Sequence, residues 1–244
     1  MTFKQYLPNA LTLLNLLCGV IAVLFAAINQ LEVAAYFVFG GIFFDYFDGF
    51  TARLLKVQGE LGKQLDSLAD VITSGVVPGI VMFQLIRQSL GQWTEPIWFT
   101  SVDKLNWLPF LGLIIPLASA YRLANFNIDT RQTSSFIGLP TPALSIFVLS
   151  LPLIIGQESS PLIESIFKNS ITLILITLIG SYLLNAELPM FALKFKTYQL
   201  KENLLKYIFL ILSLLLLVGF HYTAIPLILI LYIALSVIEA IRAK

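Results

Sequence analysis

The chain has 244 residues, 58% of them hydrophobic and only 12% charged, with a net charge of +1. A soluble domain carries about a quarter charged residues, so the apolar excess belongs in a bilayer, and near-neutrality excludes a nucleic-acid binder. A lone cysteine, Cys18, excludes an intrachain disulfide and reads as a small packing residue.

The first ten residues, MTFKQYLPNA, hold one lysine between Phe3 and Tyr6. No small-residue cleavage site follows the next apolar run, so the stretch does not read as a signal peptide; it suits a short segment at the membrane interface. A spanning helix needs about 20 mostly apolar residues. Eight segments qualify, near 11–29, 33–54, 67–87, 106–125, 141–156, 170–186, 205–220 and 223–241. The expected fold is therefore an all-α integral membrane protein of about eight transmembrane helices. No internal repeat and no polar linker divides it, so a single domain over 1–244 is expected.

The first of these spans is not uniformly apolar. Pro8, Asn9, Thr12 and Asn15 recur at helical spacing and form a polar stripe. Polar groups in a bilayer seek partners, here either a nucleotide and its pyrophosphate or a neighbouring helix.

The second and third spans carry the strongest signal. Asp45 and Asp48 are three residues apart and share a helix face; Asp66 and Asp70 are four apart and share another. A short connection lets the two helices lie side by side, so four carboxylates converge. Each buried charge costs several kcal/mol, and like charges oppose one another's ionisation. The cluster must be solvated, protonated or bound to cations. All-oxygen donors favour Mg²⁺, Mn²⁺ or Ca²⁺, and a pair of such ions suits phosphoryl chemistry. Gly49 and Ala52 leave a groove beside the carboxylates, and Arg53 offers a fork for phosphate oxygens.

Further along, Arg122 and Asn125 share a face at the end of the fourth span, with Asn127 beside them. Gly138, Pro140 and Pro142 shape the turn into the fifth span. His221 and Glu239 carry no catalytic pattern.

Cationic residues set the orientation. With eight spans and both termini cytoplasmic, that side holds Lys4, Arg53, Lys56, Lys63, Arg122, Arg131, Lys194, Lys196, Lys201, Lys206, Arg242 and Lys244. The other side holds only Arg87, Lys104 and Lys168. This positive-inside bias turns the carboxylates toward the cytosol.

Between residues 45 and 70 the sequence reads Asp-x2-Asp-Gly-x2-Ala-Arg-x8-Gly-x3-Asp-x3-Asp, with Gly62 as its last glycine. It resembles the signature of the CDP-alcohol phosphatidyltransferases at every fixed position. That resemblance implies the family's membrane fold. It implies two divalent cations, Mg²⁺ or Mn²⁺, on Asp45, Asp48, Asp66 and Asp70, with Asp70 also the general base. It further implies a CDP-lipid site lined by Gly49, Ala52, Arg53 and Gly62, to which the stripe of Asn9, Thr12 and Asn15 is added.

YRLANFN, FIGLPTPA and the polar stripe resemble the serine-using bacterial branch of that family. The resemblance implies CDP-diacylglycerol and L-serine as substrates, with Arg122, Asn125 and Asn127 as serine-binding residues. It also implies a bacterial inner membrane, a site facing the cytoplasm and a homodimer among membrane lipids. Ser74 and Pro78 fall where that branch has a small-residue stretch, but TSGVVP lacks its expected Ser-Phe-Gly. Two other readings stay open: a glycerol 3-phosphate or inositol phosphate acceptor, for which Lys56 and Lys63 are available, and a divalent-cation transporter.

Overall fold

The structure, a computed structural model, describes residues 3–92, 105–131, 136–156, 161–191, 199 and 203–242. Five of the cations used for orientation, Lys104, Lys194, Lys196, Lys201 and Lys244, lie outside the described residues, as do the first two residues of the expected interfacial segment.

The chain is helical almost throughout. Helix α1 runs Phe3–Ala27 and α2 Leu31–Leu54. Next come α3, Glu60–Asp70, a π-helical turn, Val71–Val76, and α4, Val77–Ser89. A 3₁₀ turn, Leu108–Leu113, leads into α5, Ile114–Ile128. Helices α6, Thr141–Gly156, α7, Pro161–Phe167, and α8, Ser170–Asn185, follow. Last are α9, Leu204–Phe220, and α10, Ala224–Arg242. Each of the eight expected segments overlaps at least one of these helices. The segment expected at the interface forms the first turns of α1.

By length and composition, the described residues hold five segments able to cross a membrane: Tyr6–Ala27, Leu31–Leu54, Glu60–Ser89, Leu108–Ile128 and Leu204–Ile241. The α7–α8 pair, bent by 63°, makes a sixth; α6 is shorter. The last segment is folded back on itself. His221 has a positive φ of 49°, and the rings of Phe209 on α9 and Tyr232 on α10 meet at 5.7 Å. Leu210, Ile211, Leu214, Leu215 and Val218 of α9 are exposed, as expected of side chains facing lipid rather than a core.

Small residues let the first helices approach closely. Ala22 and Ala26 of α1 and Ala34, Ala35 and Val38 of α2 are fully buried. Cys18 lies against Gly40, where a Cβ would sit 3.9 Å from its Sγ, in keeping with a packing role. Helix α4 is the centre of the bundle: from Val77 to Arg87 only Ile80 is not buried. It is seated on the 3₁₀ turn by two glycines. A Cβ on Gly112 would fall 2.6 Å from the backbone nitrogen of Phe83, and one on Gly79 would fall 2.5 Å from Cδ of Pro116.

The π turn was not legible as a break in the span expected over 67–87. Pro78 lacks the N–H that would bond the Ser74 carbonyl in a regular helix. Gly75 admits α5 so closely that a Cβ there would stand 3.0 Å from Cβ of Ser119. Two short strands, β1 at Phe136–Ile137 and β2 at Pro189–Met190, pair antiparallel and join the start of α6 to the end of α8. Gly138, at φ 77°, donates its N–H to the Leu188 carbonyl at 2.8 Å.

Because Gly112 faces backbone that cannot yield, Gly112→Val is expected to destabilise the fold by about 1–3 kcal/mol through overpacking. Gly219 has open space around it, so Gly219→Ala is expected to be neutral or stabilising by up to about 1 kcal/mol. Thermal unfolding of the two variants in detergent measures the difference.

Candidate active site

The carboxylates are placed by a hairpin whose connection is only residues 55–59. Asp45 and Asp48 lie in the last turns of α2, and Asp66 and Asp70 in the last turns of α3, just before the π turn. Asp45, Asp48 and Asp66 each offer one oxygen to a group in which all three atoms lie within 4.8 Å of one another. Asp48 and Asp70 are buried, while Asp45 and Asp66 are half-buried. Such a group fits a hard cation: three anionic oxygens face one point, and among the described residues none of the three forms a salt bridge to a lysine or arginine.

Asp70 lies beside that group, near enough to its carboxylates for the charges to interact. Its Oδ1 accepts a hydrogen bond from Nδ2 of Asn15 at 3.2 Å. The four carboxylates expected to converge therefore share one neighbourhood, three of them meeting at one point.

The polar stripe of α1 turns inward onto this cluster. Thr12 is buried, and its hydroxyl donates to Oδ2 of Asp48 at 2.5 Å. The same hydroxyl lies 3.1 Å from the Pro8 carbonyl. Asn15 is fully buried. Asn9 sits further out, where a Cβ on Gly62 would lie 3.5 Å from its Oδ1. Thr12 and Asn15 thus bond the acidic side chains themselves. Gly49, Ala52 and Arg53 line one face of α2. The exposed Arg53 guanidinium folds over Gly49, its Nη1 3.4 Å from where a Cβ would be.

A cavity of about 340 Å³ opens at the end of α5, lined by Arg122, Asn125, Asp129, Arg131, Asn185 and Glu187 among others. Arg122 is buried, bonds Thr141 Oγ1 through Nη1 at 3.1 Å, and has an Nε without a partner among the described residues. It is near enough to Asp70 for the two charges to interact. Arg131 spans two carboxylates at the mouth, Asp129 at 2.9 Å and Glu187 at 3.4 Å.

The three residues expected to bind an acceptor do not stay together. Arg122 and Asn125 line the cavity, whereas Asn127 is tied to α3. Its Nδ2 donates to Ser67 Oγ at 2.8 Å, and its carbonyl accepts from Lys63 Nζ at 2.5 Å. Asn185 and Glu187 escaped the sequence reading because they lie in a stretch that looks only generically membranous. Ser74 is buried with no partner for its hydroxyl among the described residues.

The CDP-alcohol phosphatidyltransferase family model matches residues 5–238. The chain belongs to that family. It is similar to a Bacillus subtilis CDP-diacylglycerol–serine O-phosphatidyltransferase, 32% identical over 142 residues, which is 57% of this chain and 70% of the relative. A Helicobacter pylori protein of the same name is 29% identical over 144 residues, 58% of this chain and 55% of the relative. An archaetidylserine synthase of Methanothermobacter thermautotrophicus is 30% identical over 147 residues, 59% and 56% of the two chains. Apart from the Bacillus protein, these alignments span only about half the length of the relatives.

In a phosphatidyltransferase with this geometry, a hydroxyl on Asp48 orients a carboxylate for cation binding. Outer partners of this kind typically alter affinity about 10–100-fold. Thr12→Val is expected to weaken Mn²⁺ binding about 10-fold, and Thr12→Ser to retain it, as measured by calorimetry on the purified protein.

Proposed function

We propose that the protein transfers the phosphatidyl group of CDP-diacylglycerol to the hydroxyl of L-serine, giving phosphatidylserine and CMP. The observation that carries this reading is the three-carboxylate group beside Asp70, next to a cavity with a buried Arg122. The names of the relatives support the same donor and acceptor. Family membership sets aside the cation transporter, whose acidic residues would need no CDP-lipid groove.

Asp45, Asp48, Asp66 and Asp70 are the residues that would hold two divalent cations, Mg²⁺ or Mn²⁺. Bound there, the ions supply Lewis-acid stabilisation of charge on the pyrophosphate oxygens. The chain's own groups do the rest. Arg53, folded over Gly49, reaches donor phosphate oxygens with Ala52 and Gly62 leaving room for the nucleotide. Arg122 takes the serine carboxylate as a charge-assisted fork, and Asn125 bonds its polar groups. Asp70 accepts the proton of the serine hydroxyl as that oxygen bonds to the lipid-linked phosphorus. The bond from phosphorus to the bridging pyrophosphate oxygen breaks, and CMP departs with the electron pair.

The depth of the carboxylates agrees with this chemistry. The scissile pyrophosphate is anchored to lipid and stays at the headgroup plane, and all four aspartates lie near helix ends. The cavity also favours a zwitterion over a phosphorylated acceptor. Its charges are mixed, with Asp129 and Glu187 facing Arg131, and Lys63 is already engaged by Asn127. In this reading the site faces the cytoplasm from a bacterial inner membrane, which the cationic bias of the connections supports, and one domain over 1–244 works as a homodimer.

Membranes containing the protein, given CDP-diacylglycerol and Mn²⁺, are expected to move labelled serine into lipid and release CMP, and to stop when a chelator is added. Label entering only from glycerol 3-phosphate would refute the serine assignment. Arg122→Met is expected to raise the KM for serine about 10–100-fold, the worth of a hydrogen bond to a charged group. The KM for CDP-diacylglycerol should stay unchanged; steady-state kinetics with each substrate varied in turn measures both.

A further inference from the structure

Three serines on three different elements lie behind the cavity that Arg122 lines. Ser74 belongs to the π turn, Ser119 to α5 and Ser145 to α6. Their exposures are 1%, 0% and 0%. A serine or threonine inside a helix commonly turns its hydroxyl back onto the carbonyl one turn earlier. Thr177 and Ser236 do so, bonding the carbonyls of Leu173 and Tyr232 at 2.8 Å each. The hydroxyls of Ser74, Ser119 and Ser145 do not, and among the described residues no other group bonds them.

The three occupy one layer of the bundle. Arg122 on α5 bonds Thr141 on α6, which fixes the two helices against each other at that height. Ser119 precedes Arg122 by three residues and Ser145 follows Thr141 by four, so each shares a helix face with that partner. Helix α5 ends and α6 begins beside the cavity, so the two run in opposite directions. Both serines therefore lie one turn deeper than the Arg122–Thr141 contact. The π turn packs on both helices. A Cβ on Gly75 would stand 3.5 Å from Oγ of Ser119, which brings Ser74, its neighbour in the chain, to the same layer.

Arg122 completes the set of groups. Its Nη1 is engaged by Thr141, while its buried Nε has no partner among the described residues. A guanidinium only donates, so Nε–H calls for an oxygen; a hydroxyl both donates and accepts. Four buried polar groups on three elements, one of them cationic, are costly to leave unpaired. A buried water takes about three hydrogen bonds. It can accept from Nε–H and donate to serine oxygens in turn.

We propose that Ser74, Ser119 and Ser145 enclose a buried hydration site whose ordered water accepts from Nε–H of Arg122 and so sets the guanidinium for the acceptor's carboxylate. The role of Arg122 toward the acceptor rests on the function proposed above; the hydration site itself does not. With Nε on water and Nη1 on Thr141, the guanidinium is fixed from two sides, and its other N–H groups are left for a ligand in the cavity. The serines are positioning residues, since they act on L-serine only through Arg122.

The test uses the full-length protein. A crystal structure that resolves ordered water is expected to show it within hydrogen-bond distance of Nε of Arg122 and of at least one of the three hydroxyls. A serine hydroxyl bonded directly to Nε, or a dry contact there, overturns the proposal. Steady-state kinetics separate hydration from packing, because valine and threonine are close in volume and differ by a hydroxyl. Ser145→Val is expected to raise the KM for L-serine about 10-fold, the worth of a hydrogen bond to a charged group. Its kcat and its KM for CDP-diacylglycerol should change less than about threefold. Ser145→Thr is expected to raise the KM for L-serine less than about threefold.

Equal rises in the two variants, or none in either, overturn the proposal, because the site would then be packing alone. Should both fail to fold, Ser74→Ala combined with Ser145→Ala removes two hydroxyls without adding volume. The same rise in KM is expected of it, and an unchanged KM overturns the proposal. An unchanged KM for L-serine in Arg122→Met overturns the acceptor role of Arg122 and its setting by water together. A raised KM in Arg122→Met beside a dry Nε overturns the hydration site alone.

Discussion

Four carboxylates at the ends of membrane-embedded helices repel one another in a medium that solvates them poorly, and the organisation of the first three helices follows from that constraint. Desolvating each anion costs several kcal/mol even after relaxation. The protein meets the cost with directed donors and with space. Thr12 donates to Asp48 and Asn15 to Asp70, while Asp45, Asp48 and Asp66 leave a common point for a cation. Donors can reach those depths only because α1 lies very close to its neighbours. Alanines and glycines occupy the contacting faces, and Gly19 and Gly41 admit Thr73 and Asn15.

Much of this was legible in the sequence, for physical reasons. Apolar runs of spanning length identify helices without any tertiary information, since an unpaired backbone is not tolerated in lipid. The spacing of Asp45 with Asp48, and of Asp66 with Asp70, identifies shared faces because helical periodicity is local. The short connection between them, residues 55–59, keeps the two pairs of aspartates near one another, although α2 and α3 each pack on α1 rather than on each other. The apolar runs, the shared faces and the connection all precede any knowledge of packing.

What was not legible depends on contacts distant in the chain. Asn15 and Asp70 are 55 residues apart, and nothing in the α1 stripe says whether it faces substrate or protein. The π turn is a local event, yet its cause includes the approach of Ser119 to Gly75. Asn127 looked like a companion of Arg122 and is instead committed to Ser67 and Lys63. Asn185 and Glu187 enter the cavity only because the β1–β2 pair brings the end of α8 to the start of α6.

That small clasp separates two tasks in the topology. The acidic cluster is assembled entirely from α2 and α3 with support from α1. The outer wall of the neighbouring chamber comes from chain beyond residue 128, stitched together by Phe136 with Met190 and Ile137 with Pro189. Substitutions in that wall can therefore reshape the chamber while the carboxylate centre stays as it is. The two are built largely from separate stretches of chain, and each is open to evolutionary or engineered change without the other.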